Sequence, residues 1–463
     1  MFDVTQFSFG IPEIEAHIHH HVGSRTETIE GQMRLLKKWT CNRAALHAVT
    51  RLSHDEIQAR QLQQISALVD TAYSTHPFYN QLYTKAGFRR GDIVTWDDYH
   101  ALPTITKHDI IDNYDMFTTA LAPDPTQIYT QRTSGSSGKT VQTMRDPTMT
   151  DYHGLWELRF FDQMLGRPRD PSEWCYMSYL ACPPYTSLDG QYPFFTVSND
   201  CPPEYVLKHL KLMKPALLSG FPSYLGRLAA LVDDPSELGI KAILTNSETC
   251  TRAERTKIGE RMGVGTRVFD EYSSVELSYI ATECTQGRYH IVEDNVRVDV
   301  LNPNNEGMGE IVATNLVNTY MPYIRYRQGD IIQIAAASEC CDCGNKFRHF
   351  QSFHGRTDQF LQSQTIGLVP PDRVMALYDR TLIESIAKVA EFQIVQTAID
   401  QVTLLIVPEF DKGGPDNKTV QTFVNGLKDL FNDPKLTVNV EEVHAMPPGK
   451  SHKRRLIECR VAS

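Results

Sequence analysis

The chain is expected to be an α/β protein: a large N-terminal part with mixed and parallel sheets and flanking helices, followed by a small α+β part. Three observations lead there. Between residues 215 and 269, short apolar runs alternate with helical patterns about 25 residues apart, as strand–helix units of a parallel sheet do. Beyond Gly355 the pattern changes to a ββαβ order. The length of 463 residues also exceeds what one hydrophobic core usually serves.

Taken in order, residues 54–76 carry Leu, Ile and Ala at helical spacing with few breakers, which predicts a helix. Residues 216–218 predict a strand, 223–232 a helix and 242–244 a second strand. Thr251 with Glu254 three positions on has the form of a capping box and starts the next helix. Residues 266–269 predict a third strand. Ligands of parallel sheets sit at the carboxyl ends of strands, which singles out 245–249 and 270–276. Residues 296–301 and 310–314 predict a hairpin around Asn302-Pro303-Asn304-Asn305-Glu306-Gly307. In the C-terminal part, 392–399 and 402–407 predict a hairpin, 420–431 a helix and 436–443 a strand. The division is expected near Gly355-Arg356-Thr357-Asp358, giving domains 1–355 and 356–463.

Composition excludes several classes. Hydrophobic residues at 41% and charged residues at 22% are ordinary for a globular protein. A net charge of −10 lacks the basic footprint of a nucleic-acid binder. No apolar run approaches the roughly 20 residues needed to span a bilayer, and the first residues lack a basic and apolar secretory pattern. The ten cysteines are scattered, so reduced thiols in a cytoplasm are expected, with neither nucleic acid nor membrane as partner and a homodimer left open.

The candidate anion loop is Thr133-Ser134-Gly135-Ser136-Ser137-Gly138-Lys139-Thr140. Its glycines let backbone N–H groups turn toward phosphate, and its hydroxyls and Lys139 add donors. It is not the nucleotide P-loop, because Thr133 stands where that motif needs glycine. By itself it also reads as a flexible turn. His17, His19, His20 and His21 read as a solvated or tag-like segment rather than a metal site. Cys284, His290, Cys341 and Cys343 offer three thiolates and an imidazole, the donor set of a tetrahedral structural zinc. The alternative is four separate reduced residues, with Cys340 as a further thiol. Cys175, Cys182, Cys201 and Cys250 read as core or pocket-lining thiols.

Four further motifs follow the loop: Asp270-Glu271-Tyr272-Ser273-Ser274-Val275-Glu276, Tyr323-Ile324-Arg325-Tyr326-Arg327-Gln328-Gly329-Asp330, Gly355-Arg356-Thr357-Asp358, and Pro447-Pro448-Gly449-Lys450-Ser451-His452-Lys453-Arg454. In this order they resemble the adenylate-forming superfamily, and most closely its phenylacetate–CoA ligase branch. Phe78-Tyr79-Asn80 through Leu102-Pro103-Thr104-Ile105-Thr106-Lys107 resembles that branch too.

The resemblance implies an ATP-dependent ligase that adenylates a small-molecule carboxylic acid, aryl or arylalkyl, and transfers the acyl group to coenzyme A. It implies that residues 133–140 hold the β- and γ-phosphates, Glu276 binds Mg2+, and Tyr272 with Ser273 packs near adenine. It implies that Ser247 and Glu248 line the adenine edge, Asp330 accepts from the ribose hydroxyls, and Arg356 reaches phosphate or ribose. Lys450 matches the catalytic lysine and Asp358 the hinge of the small domain. Tyr179, Phe221, Pro222 and Tyr224 fall around the acid pocket, though aromatics there also read as core. A similar Cys…His…Cys-x-Cys pattern occurs in the branch, which implies zinc, and four protein ligands with no open position would make it structural. The chain departs from the family at Ser273, at Val275 and in Gln359-Phe360-Leu361-Gln362-Ser363-Gln364, which lacks the usual glycines. That departure leaves an amine, a carrier-protein thiol or a small inorganic nucleophile as alternative acceptors, and an inactive zinc-stabilised scaffold as a third reading.

Overall fold

A computed structural model describes residues 29–117, 128–132, 140–179, 185–263, 267–381, 389–408, 414–446 and 454–461. The histidines at 17–21, residues 133–139 of the anion loop, Cys182 and Lys450 lie outside the described residues.

Among the described residues six helices come first: α1 (Ile29–Ala48), α2 (His54–Thr75), α3 (Pro77–Lys85), α4 (Trp96–Ala101), α5 (Lys107–Asp112) and α6 (Tyr114–Phe117). The expected helix at 54–76 is α2. Ser53 accepts from the Glu56 N–H while the Glu56 side chain bonds back to Ser53, and Ile57, Ile65, Leu68, Val69 and Ala72 form its buried stripe. β1 (Tyr129–Arg132) and β2 (Gln142–Arg145) pair antiparallel, and the anion loop joins them. Asp146 then caps the long helix α7 (Pro147–Leu165) through the Met149 N–H.

An eight-stranded sheet follows, built from β3 (Cys175–Tyr179), β4 (Tyr185–Leu188), β5 (Gln191–Ser198), β6 (Leu217–Gly220), β7 (Ala242–Thr245), β8 (Arg267–Ser274), β9 (Ser278–Glu283) and β10 (Tyr289–Ile291). Its order is β10-β9-β8-β7-β6-β3-β5-β4. The centre, from β5 through β3, β6 and β7 to the start of β8, is parallel. Helices α8 (Pro203–Met213), α9 (Pro222–Ala230) and α10 (Arg252–Met262) provide the crossovers. β6 and β7 are buried throughout, as strands covered on both faces are. The capping box expected at Thr251 and Glu254 opens α10.

One expectation is corrected. The third strand, expected to end at Phe269, runs on, because β8 continues to Ser274. It pairs with β7 through Asp270 and with antiparallel β9 from Glu271. Once its parallel neighbour ends, the strand satisfies its backbone groups on the other side.

β11 (Val296–Leu301), β12 (Gly309–Asn315), β13 (Tyr326–Ile334) and β14 (Phe350–Arg356) form a second, antiparallel sheet that begins with the expected hairpin. Its inner face shares a core with α2, α3 and α4, where Ile65, Tyr79, Tyr99, Ile311 and Tyr323 are all buried.

The C-terminal elements are β15 (Leu361–Ser363), β16 (Gly367–Val369), α11 (Pro371–Thr381), β17 (Val389–Ala398), β18 (Gln401–Pro408), α12 (Asn417–Phe431), β19 (Thr437–Glu442) and β20 (Ile457–Cys459). Their sheet runs β19-β18-β17-β20, and one buried cluster draws all its members from residues 361–457. The expected ββαβ order is present as β17, β18, α12 and β19, with β15, β16, α11 and β20 in addition. Gly355, the last residue but one of β14, has φ +91°, and a Cβ there would sit 3.1 Å from the Pro371 ring that starts α11. No described helix is long and apolar enough to cross a membrane.

Candidate functional site

A cavity of about 1390 Å³ opens at the carboxyl ends of β3, β6 and β7 and is closed by residues of β8, β13 and β14. Ser247, Glu248, Tyr272, Ser273, Glu276, Asp330 and Arg356 all line it, together with Tyr179.

Asp330 on β13 lies opposite Arg356 on β14. Its Oδ2 accepts from Tyr272 Oη at 2.7 Å and Gln328 Nε2 at 3.1 Å, and Gln328 Nε2 also donates to Tyr272 Oη at 2.7 Å. Among the described residues nothing donates to Oδ1. Burial raises the Asp330 carboxyl above its ordinary value, and the Arg356 charge opposes that rise. Burial, reinforced by the Asp330 charge, holds the Tyr272 phenol protonated and therefore donating. Arg356 Nε lies 3.4 Å from Asp358 Oδ1.

Glu276 sits in the turn after β8 and accepts from Tyr326 Oη at 3.3 Å. Lys107, at the start of α5, faces the same space. Burial lowers its pKa, while the charge of Glu276 opposes that shift. Ser247 adopts a left-handed φ of +67°, which brings its Oγ to 3.3 Å from Tyr179 Oη. Glu248 Oε2 accepts from the Ser223 N–H of the first turn of α9 at 3.2 Å, and Oε1 accepts from the Arg454 N–H at 2.8 Å. Arg454 also donates to Glu254 Oε1 at 2.7 Å and to the Thr249 carbonyl at 3.2 Å. The C-terminal segment is thereby bound to the loop after β7.

Of the four residues expected around the acid pocket, only Tyr179 is on the cavity wall. Phe221, Pro222 and Tyr224 are buried. Phe221 backs Tyr179 edge-on at 5.3 Å, and Tyr224 Oη donates to the Cys201 carbonyl at 2.8 Å. Their apolar volume fills the space between sheet and helices. Thr140 is described but does not line the cavity. Arg145, His153 and Glu157 do line it. No motif marked them, because α7 carries large apolar residues on several sides and offers no clear polar face in the sequence.

The four expected zinc ligands come together. Their donor atoms all lie within 4.8 Å of one another, with Cys284 Sγ 3.6 Å from Cys341 Sγ and Cys343 Sγ 3.3 Å from His290 Nε2. Ligands about 2.0–2.3 Å from a tetrahedral zinc would have similar separations. His290 Nδ1 lies 2.8 Å from the Phe347 carbonyl, leaving Nε2 toward the cluster. Backbone N–H groups of Gln286 and Asn345 point at Cys284 Sγ and Cys343 Sγ, each at 3.4 Å. The hydrogen bond from Cys343 holds the Cys284 thiol far below its ordinary range. The donor set fits zinc and leaves no position for a substrate. Cys175, Cys201 and Cys250 are buried, as expected of packing thiols.

The fold that carries this cavity is that of the adenylate-forming ligases. A solved 2-hydroxyisobutyryl-CoA ligase, in the postadenylation state in complex with R3-HIB-AMP, superposes with a TM-score of 0.71 over 89% of this chain and 91% of that one, at 19% identity. In sequence the likeness falls in the phenylacetate–CoA ligase-like branch. The chain is 25% identical over 351 residues to the phenylacetate-coenzyme A ligase of Thermus thermophilus, covering 69% of this chain and 74% of that protein. It is also 25% identical over 406 residues to Protein CapK of Staphylococcus aureus, covering 82% and 84%. No family model matches the chain. Fold and sequence agree on AMP-forming acid ligases as the class this chain resembles.

Proposed function

We propose that the protein joins a carboxylic acid to AMP at the expense of ATP, releasing pyrophosphate, and then transfers the acyl group to coenzyme A. The observation that supports this best is the buried Asp330, with Oδ2 tied to Tyr272 and Gln328 and Oδ1 free of partners among the described residues in a nucleotide-sized cavity. A carboxylate held this way accepts well from a ribose diol. In the proposed arrangement Tyr272 and Ser273 pack against adenine, Ser247 and Glu248 line its edge, and Arg356 meets ribose or phosphate. The loop 133–140, with Lys139, holds the outer phosphates.

In the first step a carboxylate oxygen of the acid bonds to the α-phosphorus and the bond to pyrophosphate breaks. In the second the coenzyme A thiol gives up its proton, its sulfur bonds to the acyl carbon, and AMP leaves. Lys450 neutralises charge building on the phosphoryl oxygens in the first step. Glu276 is the oxygen ligand suited to Mg2+, which when bound supplies further positive charge to the phosphates. Residues 1–355 and 356–463 act as two domains with Asp358 at their hinge. The zinc set, Cys284, His290, Cys341 and Cys343, is structural. Tyr179, Tyr192 and Phe194 on the cavity wall favour an acid of about ring size.

A second reading keeps the adenylation step and changes the acceptor. It is favoured by the polar Gln362-Ser363-Gln364 after β14, where Ser363 is buried and bonded to the Phe431 carbonyl at 2.7 Å. Mass spectrometry of products formed from ATP, a panel of acids and coenzyme A tests both readings. Acyl-CoA is the expected product. Acyl-AMP accumulating without thioester would refute coenzyme A as acceptor, and no acid-dependent pyrophosphate would refute adenylation.

A further inference from the structure

Beyond the nucleotide-side cluster the cavity continues along α7. Thr150, His153, Gly154, Glu157 and Leu158 line it, the spacing of one helix face. Gly154 gives room here, since a Cβ would come within 2.7 Å of Leu35 Cδ2 on α1, which covers this end.

The polar groups on this wall differ in how far they are committed. His153 Nδ1 lies 2.8 Å from Ser278 Oγ, and its ring stacks on Tyr279 with centroids 4.8 Å apart. Burial holds it down to about 3, so it is a neutral imidazole. Arg145, just before α7, donates one N–H to the Val275 carbonyl at 3.2 Å, and its Nε has no partner among the described residues. Glu157 stands one turn beyond His153, about 6 Å further along the helix. Among the described residues no hydrogen bond or ion pair reaches its carboxylate, and the side chain is half-buried on the cavity wall. Arg169, whose charge it feels, makes no ion pair with it, although Arg169 Nε and Nη1 have no partner among the described residues. That guanidinium donates to the carbonyls of Glu173 at 2.7 Å and Pro193 at 2.9 Å and lies over the Phe194 ring at 5.0 Å.

The pocket is thus cationic beside Val275 and Glu276 and acidic at its far end, with apolar walls from Leu158, Leu188 and Phe194 between. A half-buried carboxylate beside such walls is costly unless a ligand donates to it. We propose that Glu157 sets the acid specificity, and that the acid this enzyme activates carries an amino group at the end remote from its carboxylate. The proposal rests on the adenylation reading above. The acid's carboxylate lies toward Arg145 and the amine donates to Glu157. An acid with a plain hydrocarbon end would leave Glu157 without a partner, and such a site discriminates strongly.

The test measures acid-dependent pyrophosphate release on matched pairs that differ in a distal amine: aminohexanoate against heptanoate, and aminomethylphenylacetate against ethylphenylacetate. The full-length enzyme should favour the amine of at least one pair in kcat/KM by about tenfold or more. Glu157→Gln should bring that ratio to about one, leaving the rate on the plain acid within about twofold and ATP binding unchanged. A wild-type preference for the plain acids, or a ratio that Glu157→Gln does not move, would overturn the subsite and leave adenylation standing. Pyrophosphate release from no acid would instead remove the adenylation reading, and the subsite with it.

Discussion

One oxygen of Asp330 is committed to Tyr272 and Gln328 and the other has no donor among the described residues, so the side chain is oriented before any ligand arrives. Under the proposed assignment, Asp330→Ala removes two charge-assisted bonds to ribose, each worth about 1.5–3 kcal/mol. The KM for ATP should rise at least about tenfold with little loss of fold, measured by ATP titration of pyrophosphate release and by thermal melting. Glu157 gives a pH prediction. Its carboxyl is raised by burial from 4.5 to about 7, partly offset by the charge of Arg169. A raised folded value means the native state holds the proton more tightly than the unfolded chain. Its contribution is therefore complete below the unfolded value and is lost as pH rises from about 4.5 to 7, by at most about 3 kcal/mol. Glu157→Gln should flatten the fall in Tm across that window, and an unchanged slope would show that the carboxyl is not held neutral.

At the scale of elements, the sequence was most legible where local chemistry and burial agree. Ser53 with Glu56 and Thr251 with Glu254 mark helix starts through hydrogen bonds made within one turn, and both helices begin there. Strands β6 and β7 were legible because a strand covered on both faces is apolar throughout. The extension of β8 was not, since residues 271–274 are polar and owe their strand form to pairing with β9. Helix α11 begins at Pro371, next to Pro370, which reads as a breaker, yet Val374, Leu377 and Tyr378 form its buried stripe. β20 is three residues long, and its pairing with β17 is a purely tertiary fact. In the site, the motif residues 247, 248, 272, 276, 330 and 356 converge on the cavity, whereas Arg145, His153 and Glu157 needed the placement of α7. The Cys/His cluster ties the β9–β10 turn to the loop between β13 and β14, and so joins the two large sheets. Protein purified without added metal should hold about one zinc per chain. Cys343→Ser should lose the metal and lower the Tm by several degrees, since structural zinc contributes to folding directly. Elemental analysis decides: active protein free of zinc would end the assignment.

At the scale of the whole molecule, Arg454 joins the C-terminal segment to the large sheet. Its side chain is about one-tenth exposed, pairs with Glu254 at 2.7 Å and bonds the Thr249 carbonyl, while its N–H meets Glu248. Breaking a mostly buried pair by removing one partner costs about 3–5 kcal/mol, here charged against one arrangement of the C-terminal part. Lys450 stands four residues upstream in the sequence. Under the proposed function the two residues act on the same step by different routes. Lys450→Ala should abolish most acid-dependent pyrophosphate release while ATP binding and folding persist, because the charge itself is lost. Arg454→Ala keeps the charge but lowers the population that presents it, so release should slow by about tenfold or more with Lys450 intact. Thioester formation from acyl-AMP supplied directly should be nearly unaffected by Arg454→Ala, since that step does not need this docking. Single-turnover measurement of the two half-reactions separates the cases: equal slowing of both would mean that Arg454 serves general stability, and unchanged rates that the contact does not hold the adenylating arrangement.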